Sequence, residues 1–585
     1  MKALLVAINA KYIHSNLAIF SLYKYAEKYK DNLAFVEYTI NQYADDILMD
    51  LYKQQPDMVA FSCYIWNIEM VMQISKELKK ICPKVKIWMG GPEVSYEVKK
   101  FMEKNSYVDG VIVGEGEQTF LELMSYYVDE KDKLEDISGI AYRDQNEITM
   151  TKPRFPMDLS EIPFPYEDMD YLEHKIVYYE TSRGCPFSCS YCLSSIEKGV
   201  RLRKLDLVFK ELQFFLDHKI SQVKFIDRTF NCNHNHAMAI WQYILEHDNG
   251  ITNFHFEISA DLLRGDELEL LKKMRVGLVR LEIGVQSTNP KTIEAIHRTM
   301  DLEKLKNAVA LVKSFGNIHQ HLDLIAGLPY EDYASFQKSF DDVYAMKPDQ
   351  LQLGFLKVLK GSRMHEEKEE HGVKYKSYAP YEVLVTKWLP FEDVLRLKRV
   401  EDMVEVYYNS GQFAHTLPFL MHFYDSPFTF YQEIGDYYEE HGQIGIRYTR
   451  IARYDILLEF VKKKMPDLVE PLKEIMTYDV YLRENIKSRP DFASDIEKYK
   501  NPYHKFYADC EEKNKNGIEN VLSGYGQYQV RHMARMTHIE HFNFDLEELE
   551  NNGTMISKDY HVLFDYQNMH PLRMEAATYD IEIDG

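Results

Sequence analysis

The chain has 585 residues, 45% hydrophobic and 28% charged, with a formal net charge of -22. That length exceeds one ordinary core and predicts two to four domains, while the broad acidic balance argues against general capture of nucleic acid or anionic membrane. Seven cysteines, odd in number and irregular outside one cluster, exclude a secreted disulfide framework and favour a reducing cytoplasm.

The opening MKALLVAINAKY has no small-residue cleavage site after its apolar run and reads as a buried first strand, not a signal peptide. No apolar run reaches the ~20 residues of a membrane span. Short apolar runs at ALLVAI (3–8), AFVEYTI (34–40), MVAFSCYI (58–65), KIWMGG (86–91) and DGVIVGEGE (109–117) alternate with helical patterns such as EMVMQISKELKK (69–80). Strands alternating with helices predict a parallel, doubly wound, Rossmann-like sheet over 1–150. The proline-rich, aperiodic stretch 151–171 reads as a linker. A second strand–helix series follows over 172–369, with strands at 175–182, 222–227, 253–259, 278–285, 320–327 and 349–358. Six such strands predict an open, partial (β/α)6 version of the eight-stranded barrel. From about 370 to 585 the pattern is α-rich, charged and full of tyrosine.

Three of the seven cysteines lie together in ETSRGCPFSCSYC (180–192), spaced C-x3-C-x2-C at Cys185, Cys189 and Cys192. Thiolates this close either pair or bind metal, and pairing leaves one over. A structural zinc wants a fourth protein ligand. Cys232 and the histidines of NCNHNH (231–236) keep that alternative open. Thiolates also hold iron–sulfur clusters, and three on a four-iron cluster leave one iron for a ligand that is not protein. The loop follows the first strand of the second series, at the end where barrel active sites collect.

The aromatic Tyr191 inside C-x3-C-x-aromatic-C resembles the cluster motif of the radical S-adenosylmethionine superfamily. FIDRTFN (225–231), FHFEISADLL (254–263), RLEIGVQSTN (280–289) and DLIAGLPYE (323–331) are similar, in order, to that superfamily's later strand motifs. The resemblance implies a 4Fe-4S cluster on Cys185, Cys189 and Cys192. It implies S-adenosylmethionine held near Tyr191, Asp227, Glu257, Gln286, Ser287 and Gly327, and cleaved by one electron to a 5′-deoxyadenosyl radical. Arg228 stands where a second acid is often found. A salt bridge at the barrel mouth competes for Glu257, and helix capping competes for Gln286 and Ser287.

In the first series, SCYIWN (62–67), GGPEVS (90–95) and GEGEQTF (114–120) end successive strands, where doubly wound sheets bind ligands. Their order resembles the cobalamin-binding domain that precedes many radical S-adenosylmethionine cores. It implies that Ser62, Tyr64, Gly90, Gly91, Glu93, Gly114, Glu115, Gly116 and Glu117 line the corrin and its tail, with helix capping the competing role for the acids. NAKYIHSNLA (9–18) departs from the D-x-H-x-x-G pattern that supplies a lower axial histidine. A cobalamin without ligation by His14 is therefore expected.

Together these imply a cobalamin-dependent enzyme that transfers a methyl group to an unactivated carbon, or rearranges it. The implied partners are a small-molecule or peptide substrate and a one-electron reductant such as flavodoxin or ferredoxin, with no membrane and no nucleic acid. The alternatives are a cobalamin-free or methylthiotransferase-like radical enzyme and an iron–sulfur sensor. The first domain offers only Cys63 and Cys82, short of the second cysteine triad that a methylthiotransferase needs. A sensor would not need the ordered motifs after the cysteines.

Overall fold

A computed structural model describes residues 1–131, 133–145, 147–167 and 170–583. It divides into two compact units, one of Met1–Phe336 with Gly354–Phe391, the other of Gln337–Leu353 with Glu392–Gly585.

The first unit opens with β1 (Ala3–Asn9), β2 (Leu33–Thr39), β3 (Met58–Ser62), β4 (Lys86–Gly90) and β5 (Gly110–Ile112). These pair in parallel in the order β2-β1-β3-β4-β5. Every residue of β1 is buried, as an unbroken apolar run requires when helices cover both faces of the sheet. The order reverses between β1 and β3, which puts a ligand crevice at their carboxyl ends. An antiparallel hairpin, β6 (Ile140–Asp144) and β7 (Glu147–Met150), extends the sheet beyond β5. Sequence reading did not anticipate it, because IAYRD and EITM are short and polar.

The second series begins with β8 (Val177–Tyr179). A small antiparallel clasp follows, formed by β9 (Ser182–Arg183) and β10 (Arg201–Leu202), which aligns Arg183 with Arg201. Then come β11 (Gln222–Phe225), β12 (Asn253–Ile258), β13 (Val279–Gln286), β14 (His319–Ala326) and β15 (Gln350–Phe355). The six-stranded sheet runs β15-β14-β13-β12-β11-β8 in space, the open barrel expected from the sequence. Along β12 and β14, buried residues alternate with half-buried ones. His255, Glu257, His321 and Asp323 occupy half-buried positions, while Gln320, on the buried side of β14, donates Nε2 to Val309 O of helix Leu302–Phe315. A short hairpin, β16 (Lys374–Tyr375) with β17 (Val383–Val385), closes this unit.

The second unit is helix-rich, with Pro427–Glu440, Arg450–Lys464 and Val469–Arg483 among its longer helices. It also contains an antiparallel sheet of β18 (Thr537–Phe544), β19 (Ser557–Met569) and β20 (Ala576–Ile581). The α-rich character expected from the sequence holds for this unit, while no sheet was expected within it. Among the described residues, no helix is long and apolar enough to cross a membrane.

Candidate functional site

The cysteine loop is anchored from both sides. Behind it, Asp227 at the end of β11 accepts from Thr181 N at 3.0 Å and from the Thr181 and Ser182 hydroxyls, each at 2.6 Å. Fully engaged this way, Asp227 fixes the strand that enters the loop. Gly184 then turns the chain at φ +94, where a Cβ would lie 2.1 Å from the Gly199 carbonyl; only glycine fits. Further on, Ser190 N donates to Ile296 O at 2.9 Å, and Ser190 O accepts from Met364 N at 2.8 Å.

Cys185 and Cys189 are buried, Cys192 is half-buried, and all three thiols are free. The Thr229 hydroxyl lies 3.6 Å from Cys185 Sγ. Arg298 brings Nη1 to 3.8 Å from Cys189 Sγ and 3.3 Å from the Tyr191 hydroxyl, and donates Nη2 to Gly284 O. Burial pushes the Cys189 thiol up while the Arg298 charge opposes that shift. No motif marks Arg298 in the sequence, so it was missed.

The histidines of the zinc alternative lie elsewhere. His234 lies within ion-pair distance of Asp266 (3.0 Å) and Glu267 (3.2 Å). His236 is buried, which pushes its pKa down to about 4. Among the described residues, no three His, Cys, Asp or Glu side chains close on a single-ion site.

On β12, burial raises the Glu257 carboxyl to about 7, against the pull of the Arg228 charge. Below it the lumen is an ion-paired floor. Lys224 Nζ and His255 Nε2 both reach Glu282 Oε2, at 2.9 and 3.0 Å. His321 Nε2 meets Asp323 Oδ1 at 3.0 Å. Gln286 sits at φ +73 with its buried Oε1 lacking a hydrogen-bond partner. Ser287 donates to Glu331 Oε1 at 2.6 Å and accepts from Asn289 N at 3.1 Å, so it also serves the turn into the next helix. Gly327 is packed under Val383.

In the first domain the three expected turns do gather at the carboxyl edge of the sheet, since β3, β4 and β5 are neighbours. Ser62 ends β3, and Gly90 ends β4 with the Ile112 side chain beside it. Gly91, at φ +113, lies so close to the Cys63 carbonyl that a Cβ would be 2.5 Å from it, whereas Gly114, at φ +82, faces open space. Tyr64 stacks flat on Trp66 at 4.4 Å and 5°, and Trp66 Nε1 donates to Ile8 O at 3.1 Å.

Three acids expected to line the corrin have partners within the protein. Glu93 accepts from the Tyr381 hydroxyl at 2.8 Å. Glu117 accepts from Arg183 Nη2 at 2.6 Å, and Glu115 pairs with Arg201. Gly116 sits against Leu22 and caps helix Glu117–Val128. Glu115 and Glu117 take arginines because the barrel half brings guanidinium groups to that turn, which no local pattern reveals. His14 forms a β-bridge to Ile176 and holds the Tyr178 hydroxyl at 2.8 Å through Nδ1. Burial, aided by the Lys11 and Lys224 charges, lowers its pKa.

These residues fit the groups the sequence implies. Three free thiols share one loop beside a cationic donor. Gln286 offers an unsatisfied acceptor, Gly114 leaves its turn open, and Tyr64 and Trp66 form an aromatic stack after β3. Family models agree along the chain: a B12 binding domain matches 3–124, the radical SAM superfamily 179–343, and a protein family of unknown function, DUF4080, 369–564. An uncharacterized methyltransferase of Pyrococcus horikoshii is 27% identical over 333 residues, 55% of this chain and 71% of that protein. The cobalamin-dependent radical SAM methyltransferase TokK of Streptomyces tokunonensis is 30% identical over 339 residues. The alignment covers 52% of this chain but only 46% of TokK. The cobalamin-dependent S-adenosylmethionine radical enzyme OxsB, solved with aqua-cobalamin bound, shares the fold at TM-score 0.57 and 15% identity, over 82% of this chain and 80% of that one.

Proposed function

We infer, for a chain that belongs to the cobalamin-binding radical S-adenosylmethionine enzymes, the transfer of a methyl group to an unactivated carbon of a small-molecule or peptide substrate. Its cofactors are a 4Fe-4S cluster, S-adenosylmethionine and cobalamin. One observation carries the reading: three free thiols in a C-x3-C-x2-C loop open from the same unit as the glycine turns of a B12 binding domain. When bound, the cofactors supply a 5′-deoxyadenosyl radical, formed by one-electron cleavage, and a transferable methyl group.

Cys185, Cys189 and Cys192 hold the cluster in this reading. Arg298 keeps a positive charge against Cys189 and Tyr191, and Asp227 orients the strand behind them. Glu257 and Gln286 offer polar contacts to S-adenosylmethionine, with Tyr191, Ser287 and Gly327 shaping the walls. Ser62, Tyr64, Gly90, Gly91 and Gly114 face the corrin. A flavodoxin- or ferredoxin-like reductant supplies the electron. A methylthiotransferase is not favoured, since Cys63 is fully buried and Cys82 lies past the far end of helix Ile68–Ile81.

Purification from cobalamin-supplied cells tests this. The wild-type chain is expected to carry corrinoid and iron, and Cys189→Ala to keep the corrinoid while losing the iron. A folded chain without corrinoid would remove the cobalamin half of the reading.

A further inference from the structure

The turn 114–117 has two sides. Its glycine at 114 faces open space, while its two carboxylates reach into the barrel half of the same unit. Arg183, two residues before Cys185, donates Nη2 to Glu117 at 2.6 Å and Nε to Glu180 at 2.9 Å, with Nη1 3.5 Å from Glu115. Its partner in the clasp, Arg201, pairs with Glu115 and donates Nη1 to Met157 O at 2.6 Å. Glu115 in turn accepts from Met157 N at 3.0 Å, and Glu117 from the Ser21 hydroxyl at 3.1 Å. Both arginines of the β9–β10 clasp thus end on one turn of the first domain. Gly184 and Gly199 pack against each other just past the clasp, and Gly184 is followed directly by Cys185. A buried ion pair of this kind holds a geometry more than it adds net stability.

We propose that Arg183 is a positioning residue for the cluster loop, and that Glu117 holds it through a latch from the cobalamin-binding domain, fixing the cluster relative to the corrin. This rests on the reading that the loop carries a cluster. Glu115 and Glu117 then serve the cluster from outside instead of touching the corrin.

A second buried pair supplies the control. Lys175 Nζ meets Glu37 Oε2 at 2.8 Å and also joins the first domain to the barrel half, but away from the clasp. Full-length wild type, Glu117→Gln, Arg183→Gln, Ser21→Ala and Glu37→Gln would be reconstituted anaerobically. Iron loss to bathophenanthroline disulfonate would be timed, and the reduced cluster's electron paramagnetic resonance spectrum recorded with and without S-adenosylmethionine. Circular dichroism and corrinoid content check folding. Glu117→Gln and Arg183→Gln are expected to lose iron at least about tenfold faster, a rate factor worth ~1.4 kcal/mol, and to show an altered spectrum with S-adenosylmethionine. Ser21→Ala, far from the cysteines in sequence, should fall between them and wild type, and it carries the test if the charge variants fail to fold. Glu37→Gln should match wild type. Wild-type behaviour of Glu117→Gln and Ser21→Ala, or equal lability of Glu37→Gln, would overturn the latch. A wild-type chain that takes up no cluster would sink the reading of the loop itself, and the latch with it.

Discussion

Glu257 shows what burial does to a single carboxyl in the lumen. Its ordinary value of 4.5 rises to about 7 in the fold, so between those pH values the native state holds a proton that the unfolded chain has released. The stability this contributes is fully present below about pH 4.5 and is lost as pH rises through 7, roughly 3 kcal/mol in all. Glu257→Gln should therefore raise the thermal midpoint at pH 8 and leave it unchanged near pH 5; equal shifts at both would assign the residue to packing alone. Gly184 works by geometry. Gly184→Ala adds a Cβ against the Gly199 carbonyl at a positive φ and should cost about 3 kcal/mol locally. Iron and acid-labile sulfide per chain are expected to fall to background after reconstitution while circular dichroism stays native. The cysteines were legible because their spacing is local. Arg298 was not, since its contact with Cys189 spans 109 positions of sequence.

Strands were legible where one face is apolar. The alternation in NFHFEI and HQHLDLIA survives as buried and half-buried positions, with Gln320 the polar exception on the buried side, where its Nε2 donates to Val309 O. β18 defeated the same reading. THIEHFNF buries Glu540, which takes Arg489 through two contacts of 2.7 Å and His538 at 3.0 Å. A buried acid paired across 51 residues looks, in sequence, like a solvated helix face. Glu540→Ala leaves Arg489 without that carboxylate and should cost roughly 3 kcal/mol, read as a lower urea midpoint; a change under about 0.5 kcal/mol would show the pair to be incidental.

For the whole molecule, the sequence held both halves of the chemistry but not their join. The cysteine loop and the glycine turns were each visible, while the arginines linking them depend on docking. His14 belongs to that join too. Its Nδ1 holds Tyr178, and because the D-x-H-x-x-G context of an axial histidine is absent, His14→Ala should leave the visible and electron paramagnetic resonance spectra of bound cobalamin unchanged. Loss of nitrogen splitting in the variant would instead make His14 an axial ligand. The central claim is radical generation at Cys185, Cys189 and Cys192, and anaerobic turnover with a reductant and S-adenosylmethionine addresses it most directly, read by mass analysis. The account predicts 5′-deoxyadenosine and methionine from the wild-type chain and neither from Cys189→Ala. A reconstituted, reduced wild-type chain that yields neither product would contradict it.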